Sequence, residues 1–573
     1  RGGIMALTIN GTSSAVALIS DTNNIGLGTN AVDSITTGDY NVGVGHNSLT
    51  ANDTGSYNTA VGSTSLDANT SGDYNSAFGR NSLTANTTGS SNVAIGKSAL
   101  EANTTASNNT AVGVMSLAAN TTGTNNTALG TNALDSNTTG SGHTALGKQA
   151  GHNITTATDN TAVGYLSLAE TNTGSNNTAT GAYALRENTT GAENVAVGSL
   201  ALDANTTGST NVAVGNQALS ANTTASNNTA VGQASLANNT TGTQNTAIGR
   251  SALAANTTAS WNTAVGRSAL SLNTTGAYNT AVGRNAMANC TTGTSNTAVG
   301  YQALDASTTG YNNIAIGTDC ANSVTTGYEN VAVGKDAMRT LTTGERNVAI
   351  GKEALRDCTG NVNTVVGAYA GNGITTGNHN QLIGYHAGSY STSITTGTNN
   401  ICIGAYTRTD GSGTDNGIVI GYDISAGSGT FRFGKAGNHV KNDFVSNNSW
   451  THSSDERMKK NIKDSTLGLD FINDLKPRTF EWKPSTEFPN TFNDYHETIN
   501  HKKLNHVMHG MIAQEVKAAL DTAGVSDFAG WDEETDGSQG ISTEMFVFPL
   551  IKALQELSAK NDALEARITT LEG

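Results

Sequence analysis

A 17-residue repeat constrains this chain more than any other feature of its sequence. An Asn recurs every 17 residues from Asn24 to Asn347, which gives twenty starts in register with His143 as the only replacement. Residues 262–278 (NTAVGRSALSLNTTGAY) are a regular copy of the unit. Self-similarity at a fixed period is typical of repeat architectures, in which each unit packs against its neighbours along the chain. We therefore predict a stack of repeated units rather than a globular domain.

The repeats can be aligned with one another, and the alignment shows what each position of the unit tolerates. The fourth position carries mainly Val, Ile, Leu or Phe and the ninth mostly Leu, so we predict that both face the core. The fifth position is Gly in all twenty copies, which indicates a positive φ or a close backbone approach. The fifteenth is usually Gly or Ala and needs only a small residue. Examples are Val61, Phe78, Ile95 and Leu129 at the fourth position, Leu66, Leu100 and Leu270 at the ninth, and Ala106, Ala157, Ala225 and Ala259 at the fifteenth.

The twelfth position of the unit is usually Asn, as at Asn52, Asn205 and Asn273. Other copies replace this Asn with an apolar residue or a cysteine, namely Ile35, Ile154, Val324, Leu341, Cys290 and Cys358. A column that accepts Ile, Val and Leu is not a solvated turn. We predict that it points inward, and that successive Asn side chains form a ladder in which amide donors and acceptors satisfy one another.

The start of the unit alternates with period 2 and is rich in β-branched residues, which favours a short strand, and Asn-Thr-Thr-Gly then supplies turn residues. One such unit cannot bury a core by itself, but stacked units can. The predicted fold class is therefore mostly β, a repetitive β-solenoid or β-roll fibre in which each repeat forms one rung. At about 4.8 Å per rung, the twenty rungs in register would span roughly 95 Å.

Composition divides the chain near residue 450. All four prolines lie in the last hundred residues, and 34 of the 123 residues from Thr451 onward are charged, against 41 of the 450 before it. The net charge is −7 before this boundary and −8 after it, so neither part resembles a basic nucleic-acid-binding protein. The predicted organisation is an N-terminal segment (1–23), a solenoid shaft (24–404), a β-rich neck (405–450) and a small α+β domain (451–573).

The sequence predicts no cofactor, no metal site and no membrane insertion. The four cysteines lack the paired spacing of metal ligands and occupy repeat positions for small or apolar residues, which indicates free buried thiols. Four histidines in the last domain lie on no fixed helical face, so solvated histidines explain them better than a metal site. No run of 18 apolar residues is present, and the first residues lack the pattern of a signal peptide. The residues in question are Cys290, Cys320, Cys358 and Cys402, and His496, His501, His506 and His509.

The chain ends in a predicted helix over 545–573, in which apolar residues alternate spacings of three and four, as in a coiled-coil seam. With Val547 as an a position, Asn561 is a polar a residue that fixes the register, and basic g residues can meet acidic e residues on a parallel neighbour. The alternative is a helix packed on its own domain. We predict parallel self-association as a homotrimer. The seam is Val547, Leu550, Leu554, Leu557, Asn561, Leu564, Ile568 and Leu571, with Lys560 and Arg567 at g and Glu565 and Glu572 at e.

Four blocks in the last domain follow one another in a recognisable order. They are SDERMKKNI at 454–462, LGLDFI at 467–472, HGMIAQEV at 509–516 and PLIKAL at 549–554. In these blocks the sequence resembles the C-terminal intramolecular chaperone of the endosialidase type, which is found on phage tail fibres and tailspikes. The resemblance implies that three such domains assemble, guide the folding of the β-fibre ahead of them and then release themselves by self-cleavage.

Carried over position by position, the resemblance implies that Ser454 is the nucleophile, that Lys459 is its general base, and that the Ser454–Asp455 bond is cut. A serine hydroxyl becomes reactive when a base takes its proton, and a lysine desolvated in a trimer can be that base. The residues alone leave an alternative, in which Ser454 and Asp455 cap a helix that begins near Glu456. Because Ser453 precedes Ser454, two adjacent bonds are candidates for the cut.

The combined prediction is a homotrimeric phage tail fibre, carried on the virion by another subunit, whose solenoid meets a host cell-surface receptor, either a glycan or an outer-membrane component. Self-cleavage of the serine protease type is the only catalytic activity expected. The repeats more loosely resemble the β-roll heads of trimeric autotransporter adhesins, whose units are shorter, so an extracellular bacterial adhesin is one alternative. A glycan-depolymerising tailspike is another, but it needs paired carboxylates in a groove, and the repeats hold few, scattered acids.

Overall fold

The structure is a computed structural model that describes residues 16–19, 23–444, 450–452, 455–500, 502 and 504–573. The chain divides into two compact units, Arg1–Ser453 and Ser454–Gly573. The first unit is a β-solenoid of about 24 turns at 17-residue spacing, and the second is a small domain that ends in a long helix. The predicted fold class, a mostly β repetitive solenoid followed by a small domain, is therefore confirmed.

The solenoid is formed by short strands, most of which contain three residues. In chain order the strands of the first unit are β1 (Val16–Ile19), β2 (Asn24–Leu27), β3 (Val42–Val44), β4 (Thr59–Val61), β5 (Ser76–Phe78), β6 (Val93–Ile95), β7 (Thr110–Val112), β8 (Thr127–Leu129), β9 (Thr144–Leu146), β10 (Thr161–Val163), β11 (Thr178–Thr180), β12 (Val195–Val197), β13 (Val212–Val214), β14 (Thr229–Val231), β15 (Thr246–Ile248), β16 (Thr263–Val265), β17 (Thr280–Val282), β18 (Thr297–Val299), β19 (Ile314–Ile316), β20 (Val331–Val333), β21 (Val348–Ile350), β22 (Thr364–Val366), β23 (Gln381–Ile383), β24 (Ile401–Ile403), β25 (Arg408–Thr409), β26 (Ile418–Tyr422), β27 (Ser425–Ala426), β28 (Thr430–Lys435), β29 (Asn438–Asp443) and β30 (Trp450–His452).

Successive strands from β2 to β24 pair in parallel, and the stack continues through β26 and β28. In the regular turns each residue lies beside its equivalent 17 positions along, so that Thr161 faces Thr178 and Ala162 faces Ala179. Antiparallel pairs lie at the two ends of the sheet: β1 with β2 at one end, and β28 with β29 and β29 with β30 at the other. The parallel stack therefore extends into residues 405–450, the segment that composition marks as a neck.

The interior of each turn is formed by the third and ninth positions. Ala60 and Leu66 are fully buried, as are their equivalents in the regular turns, which confirms the prediction for the ninth position. The prediction for the fourth position is wrong, because Ile95 and Leu129 are 42% and 45% exposed. The strand alternates with the third residue inward and the second and fourth outward. The inner space is narrow: a Cβ on Gly43, at the third position, would lie 2.6 Å from Val32 Cγ2.

Two ladders of Asn side chains run along the stack. At the twelfth position Asn86 Nδ2 donates to Asn69 Oδ1 at 2.8 Å and to Gly89 O at 2.9 Å, and the column is buried, which confirms the predicted ladder. At the first position the backbone N–H of Asn58 donates to Asn41 Oδ1 at 3.0 Å. This second ladder was not predicted, and it connects each strand to the one before it through a buried amide.

Glycine at the fifth position meets both demands that the sequence indicates. Gly62 has φ +143°, and a Cβ there would lie 2.4 Å from the carbonyl oxygen of Gly79 in the next turn. All four cysteines are free and buried, as predicted. Burial raises the pKa of the Cys290 thiol to about 11 and that of Cys402 to about 12.

The second unit combines three helices with two antiparallel strand pairs. Its elements are α1 (Leu469–Asp474), β31 (Arg478–Phe480), β32 (Met508–Gly510), α2 (Ala513–Thr522), β33 (Trp531–Glu533), β34 (Gln539–Ile541) and α3 (Val547–Glu572), with 3₁₀ helices at Glu456–Met458, Ser485–Glu487 and Thr543–Phe546. β31 pairs with β32, and β33 pairs with β34. In the described part of the chain, no helix is both long and apolar enough to cross a membrane.

Candidate self-cleavage site

The second unit is built around a small aromatic and aliphatic core. Phe471 of α1 and Val516 and Leu520 of α2 are buried in it. Phe546, just before α3, lies parallel to Phe471 with ring centroids 6.4 Å apart. The LGLDFI and HGMIAQEV blocks therefore supply the residues that pack the helices together, which explains their apolar pattern without reference to chemistry.

A single carboxylate connects α3 to the start of α1. Glu556 of α3 accepts a hydrogen bond from the backbone N–H of Leu469 at 2.8 Å. A Cβ on Gly468 would lie 2.4 Å from both carboxylate oxygens of Glu556, so this position admits only glycine without a shift. Sequence reasoning missed Glu556, although the glycine inside the LGLDFI block was a signal that another group approaches the backbone there.

The segment after the predicted cut is held by Asp455. Its carboxylate accepts hydrogen bonds from the backbone N–H of Arg457 at 2.9 Å and from Arg457 Nε at 3.0 Å. The bond from the Arg457 side chain holds the pKa of Asp455 below its usual value. Asp455 thus caps the 3₁₀ helix Glu456–Met458, which realises the capping alternative for this residue. The predicted nucleophile, Ser454, lies outside the described residues, as does Ser453.

Lys459, the predicted general base, follows the 3₁₀ helix directly. Its backbone N–H donates to Glu456 O at 3.0 Å, and its side chain is exposed. A lysine becomes a base when its amine is withdrawn from water, because desolvation disfavours the charged form. A catalytic role for Lys459 therefore depends on how its side chain is covered beside Ser454, which lies outside the described residues.

Comparison with known proteins bears on this segment. Residues 454–525 match the family model described as "Chaperone of endosialidase". The match begins at Ser454 and contains the first three sequence blocks, while the fourth block lies beyond it in α3. No curated protein and no solved structure matches the chain significantly. The second unit is therefore similar, over most of its length, to the chaperone segment of endosialidases.

The described histidines of this chaperone-like unit are not grouped as metal ligands would be. His496 Nδ1 accepts hydrogen bonds from the backbone N–H groups of Thr498 and Ile499 at 3.3 and 3.0 Å. His509 lies in β32 opposite Thr479, and its side chain is exposed. His501 lies outside the described residues. Across the described ranges, no three His, Cys, Asp or Glu side chains are grouped as metal ligands would be.

Four aspartates of the solenoid are partly buried, and burial raises the pKa of each. All occupy the tenth position of the repeat, and each is separated from the next by four or six turns. At about 4.8 Å per turn, the smallest separation is roughly 19 Å. Glycosidase carboxylates stand about 5 to 9.5 Å apart, so these four cannot act as such a pair. They are Asp67, Asp135, Asp203 and Asp305.

Proposed function

We propose that this chain is a homotrimeric phage tail fibre whose C-terminal unit directs assembly of the solenoid and then cuts itself off. The observation that carries the proposal is the match to the endosialidase chaperone at residues 454–525, directly after a parallel stack of about 24 turns. A regular parallel stack of short strands suits an adhesive shaft. In this proposal the stack contacts a glycan or another outer-membrane component of the host, and another virion subunit carries the fibre.

The seam of α3 supports the trimer. Leu550, Leu557 and Leu564 are each at least half exposed, while Pro549 and Ala553 on another face of the helix are buried against the domain. An apolar heptad seam left in water is costly, and packing against parallel copies removes that cost. From Leu557 to the end every residue is exposed, so this part of α3 has no core of its own to bury the seam.

The proposed chemistry depends on that assembly. In this proposal Lys459 takes the hydroxyl proton of Ser454, and the hydroxyl oxygen attacks the carbonyl carbon of a Ser454–Asp455 bond. The C–N bond breaks, and Lys459 returns the proton to the departing amino group of Asp455. Water then hydrolyses the ester, which leaves a carboxylate on the shaft and restores the serine. Lys459 is exposed in one chain, so the neighbouring chains of the trimer provide the desolvation that lets it take the proton. Cleavage then reports that assembly is complete.

The test is the intact mass and oligomeric state of the purified wild-type chain beside Ser454→Ala and Lys459→Ala. We expect wild type to give a trimer of residues 1–454 and a released unit of residues 455–573, and both variants to remain full length. Ser453→Ala and Lys460→Ala are matched controls that should still be cut. The mass of the shaft fragment decides between the Ser453–Ser454 and Ser454–Asp455 bonds.

Two results would contradict the proposal. An uncut wild-type trimer would make the C-terminal unit a permanent cap and leave Asp455 with its helix-capping role alone. A wild-type chain that is monomeric would remove the fibre proposal altogether. Immunogold labelling of phage particles with an antibody to the solenoid tests the location on the virion, and labelling of bacterial cells alone would instead favour the adhesin.

A further inference from the structure

The solenoid carries an uncharged stripe along one face of its sheet. The stripe consists of two outward-facing columns of the repeat in the strands from β2 to β28: the second position, which is Thr in about half of the turns, and the fourth position, which is Val, Ile or Leu in most. At the fourth position, Ile95, Ile248 and Ile350 are each 40–42% exposed. The sequence assigned this column to the core, and the structure places it on the surface, so its apolar character has no explanation inside a single chain.

The stripe is distinguished by its lack of charge. Within the described strands from β2 to β28, no Asp, Glu, Lys or Arg occupies the second or fourth position. Soluble designs aim for about 25–35% charged surface residues, and the 450 residues that contain this solenoid have 41 charged residues in all. Charge returns at the sixth position, two residues beyond the stripe, as at Arg80, Lys97 and Arg250. Depletion of charge at the centre, with charged residues at the rim, is the pattern of a protein interface.

The stripe is long enough to hold two chains together. A Val, Leu or Ile side chain has on the order of 100 Å² of apolar surface to bury, so about 40% exposure leaves roughly 40 Å² per turn. Over about 24 turns the fourth position offers somewhat less than roughly 1,000 Å² on each copy, because the Val residues in about half of the turns are less exposed than the Ile and Leu residues, and the second position adds to this area. A standard stable interface needs about 800 Å² per partner.

The partner that fits the stripe is a second copy of this chain. The outward residues recur at every turn, about 4.8 Å apart, and only a surface with the same period meets them along the whole length. Parallel copies around an axis along the stack bring each turn beside the identical turn. The large Phe78 then meets Phe78, and the small Thr180 meets Thr180, so irregular turns remain matched.

We propose that the stripe is the surface through which parallel copies of the solenoid pack side by side, in register. The proposal rests on the homotrimer of the proposed function and specifies which face of each solenoid lies inside it. The proposal leaves the sheet of each chain complete, because strands pair from turn to turn within one chain. Association between chains uses only side chains on the face of the sheet. The α3 seam, in the other unit, independently favours parallel copies.

Cysteine cross-linking of the full chain tests the proposal, because all four native thiols are buried. Val231→Cys places a thiol in the stripe, and Thr241→Cys places one at an exposed position of the same turn. A bismaleimide that spans the roughly 10 Å between packed sheets should join Val231→Cys chains at least tenfold more than Thr241→Cys chains. The wild-type chain should not be joined. Ile248→Cys with its control Thr258→Cys repeats the comparison in the next turn.

The outcomes separate this proposal from the trimer on which it rests. If sedimentation shows an oligomer but Val231→Cys and Ile248→Cys cross-link no better than their controls, the stripe is not the interface and the trimer stands. If the wild-type chain is monomeric, both proposals fail. Circular dichroism of each variant shows whether it is folded, so that misfolding can be separated from a missing contact. The fourth position already contains a polar residue, Thr180, so a cysteine should be tolerated there.

Discussion

Individual residues of the repeat are constrained by contacts from one turn to the next, and the fifth-position glycine is the strongest case. Gly232 has φ +129°, and a Cβ there would lie 2.7 Å from the carbonyl carbon of Gly249. Gly232→Ala should therefore destabilise the adjoining turns by about 1–3 kcal/mol, the usual cost of one such strained residue. Hydrogen exchange at the amides of Gly232 and Gly249 measures the loss. Gln233→Ala, at an exposed position, is the control and should change little; equal effects would contradict the prediction.

His143 shows how a different side chain can replace the first-position Asn. Its Nε2 lies 2.8 Å from Ala157 O, and its Nδ1 accepts from the backbone N–H of Asn160 at 3.2 Å. The ring is therefore neutral with its proton on Nε2, and it makes both connections that an Asn makes. Burial lowers the pKa of His143, and its hydrogen bond to Ala157 O only partly offsets that effect.

This environment predicts a local pH dependence. The unfolded chain binds a proton at His143 more readily than the folded chain, so the stability contributed by the neutral ring is present above about pH 6.5 and is lost as pH falls. The loss is at most about 1.4 kcal/mol per pH unit, the limit for one proton. The hydrogen-exchange protection factor of the Asn160 amide, corrected for the intrinsic exchange rate, should fall in acid more in wild type than in His143→Asn. The same pH profile in both chains would show that His143 does not titrate against folding.

At the scale of the strand and its turn, the sequence indicated that side chains alternate between two faces, but not which face points inward. Period 2 places the second and fourth residues on one face and the third on the other, and hydrophobicity then assigned Val, Ile and Leu to the interior. The interior instead takes Ala, because it faces the ninth-position Leu across a narrow space. The range of residues that each repeat position accepts was a better guide to burial than hydrophobicity. A column that accepts both Phe78 and Thr180 is not tightly packed.

In the twelfth-position ladder, hydrogen bonds are lost where an Asn lies next to a residue that is not Asn, and we call such a boundary a junction. The loss in stability should therefore depend on the number of junctions rather than on the number of Asn residues replaced. Asn222→Leu leaves the amide oxygen of Asn205 and the amide nitrogen of Asn239 without their ladder partners, which should cost about 1–3 kcal/mol. Replacing Asn222 and Asn239 together also creates one junction on each side, so the double variant should cost little more than the single one.

Denaturant unfolding of the single and double variants measures this coupling. Asn120→Leu with Asn222→Leu, which are six turns apart, is the control pair and should be additive. Additive costs for the adjacent pair would contradict the junction model. In the chain itself Ile35, Ile154 and Cys290 are isolated replacements, whereas the other five apolar or cysteine replacements occupy successive turns, as the model favours. They are Val324, Leu341, Cys358, Ile374 and Ile394, all fully buried.

At the scale of the whole molecule, the sequence predicted the solenoid and the chaperone-like unit, because the repeat and the sequence blocks that indicate them are short segments of the chain. It assigned Lys459 to catalysis through resemblance, and the single chain leaves that side chain exposed. The stripe and the seam of α3 share one property. In both proposals their partner is another copy of the chain, and the pattern within one sequence does not specify which surfaces of two copies meet.

The proposed dependence of cleavage on assembly makes the last prediction. Leu564 and Ile568 are seam residues that are 56% and 52% exposed and lie beyond the helical domain core, so Leu564→Asp with Ile568→Asp should leave the fold of the unit intact. Three pairs of carboxylates in a coiled-coil seam repel one another and prevent trimer formation. We expect a chain that is monomeric and uncut.

The matched control is Ala559→Asp with Ala566→Asp, which adds the same charge to the same helix at exposed f positions. This variant should form trimers and be cut as wild type is. Mass spectrometry reads cleavage and sedimentation reads assembly in the same samples. If the seam variant is monomeric and still cut at the wild-type rate, then Lys459 does not need neighbouring chains, and cleavage is a property of the folded unit rather than of the trimer.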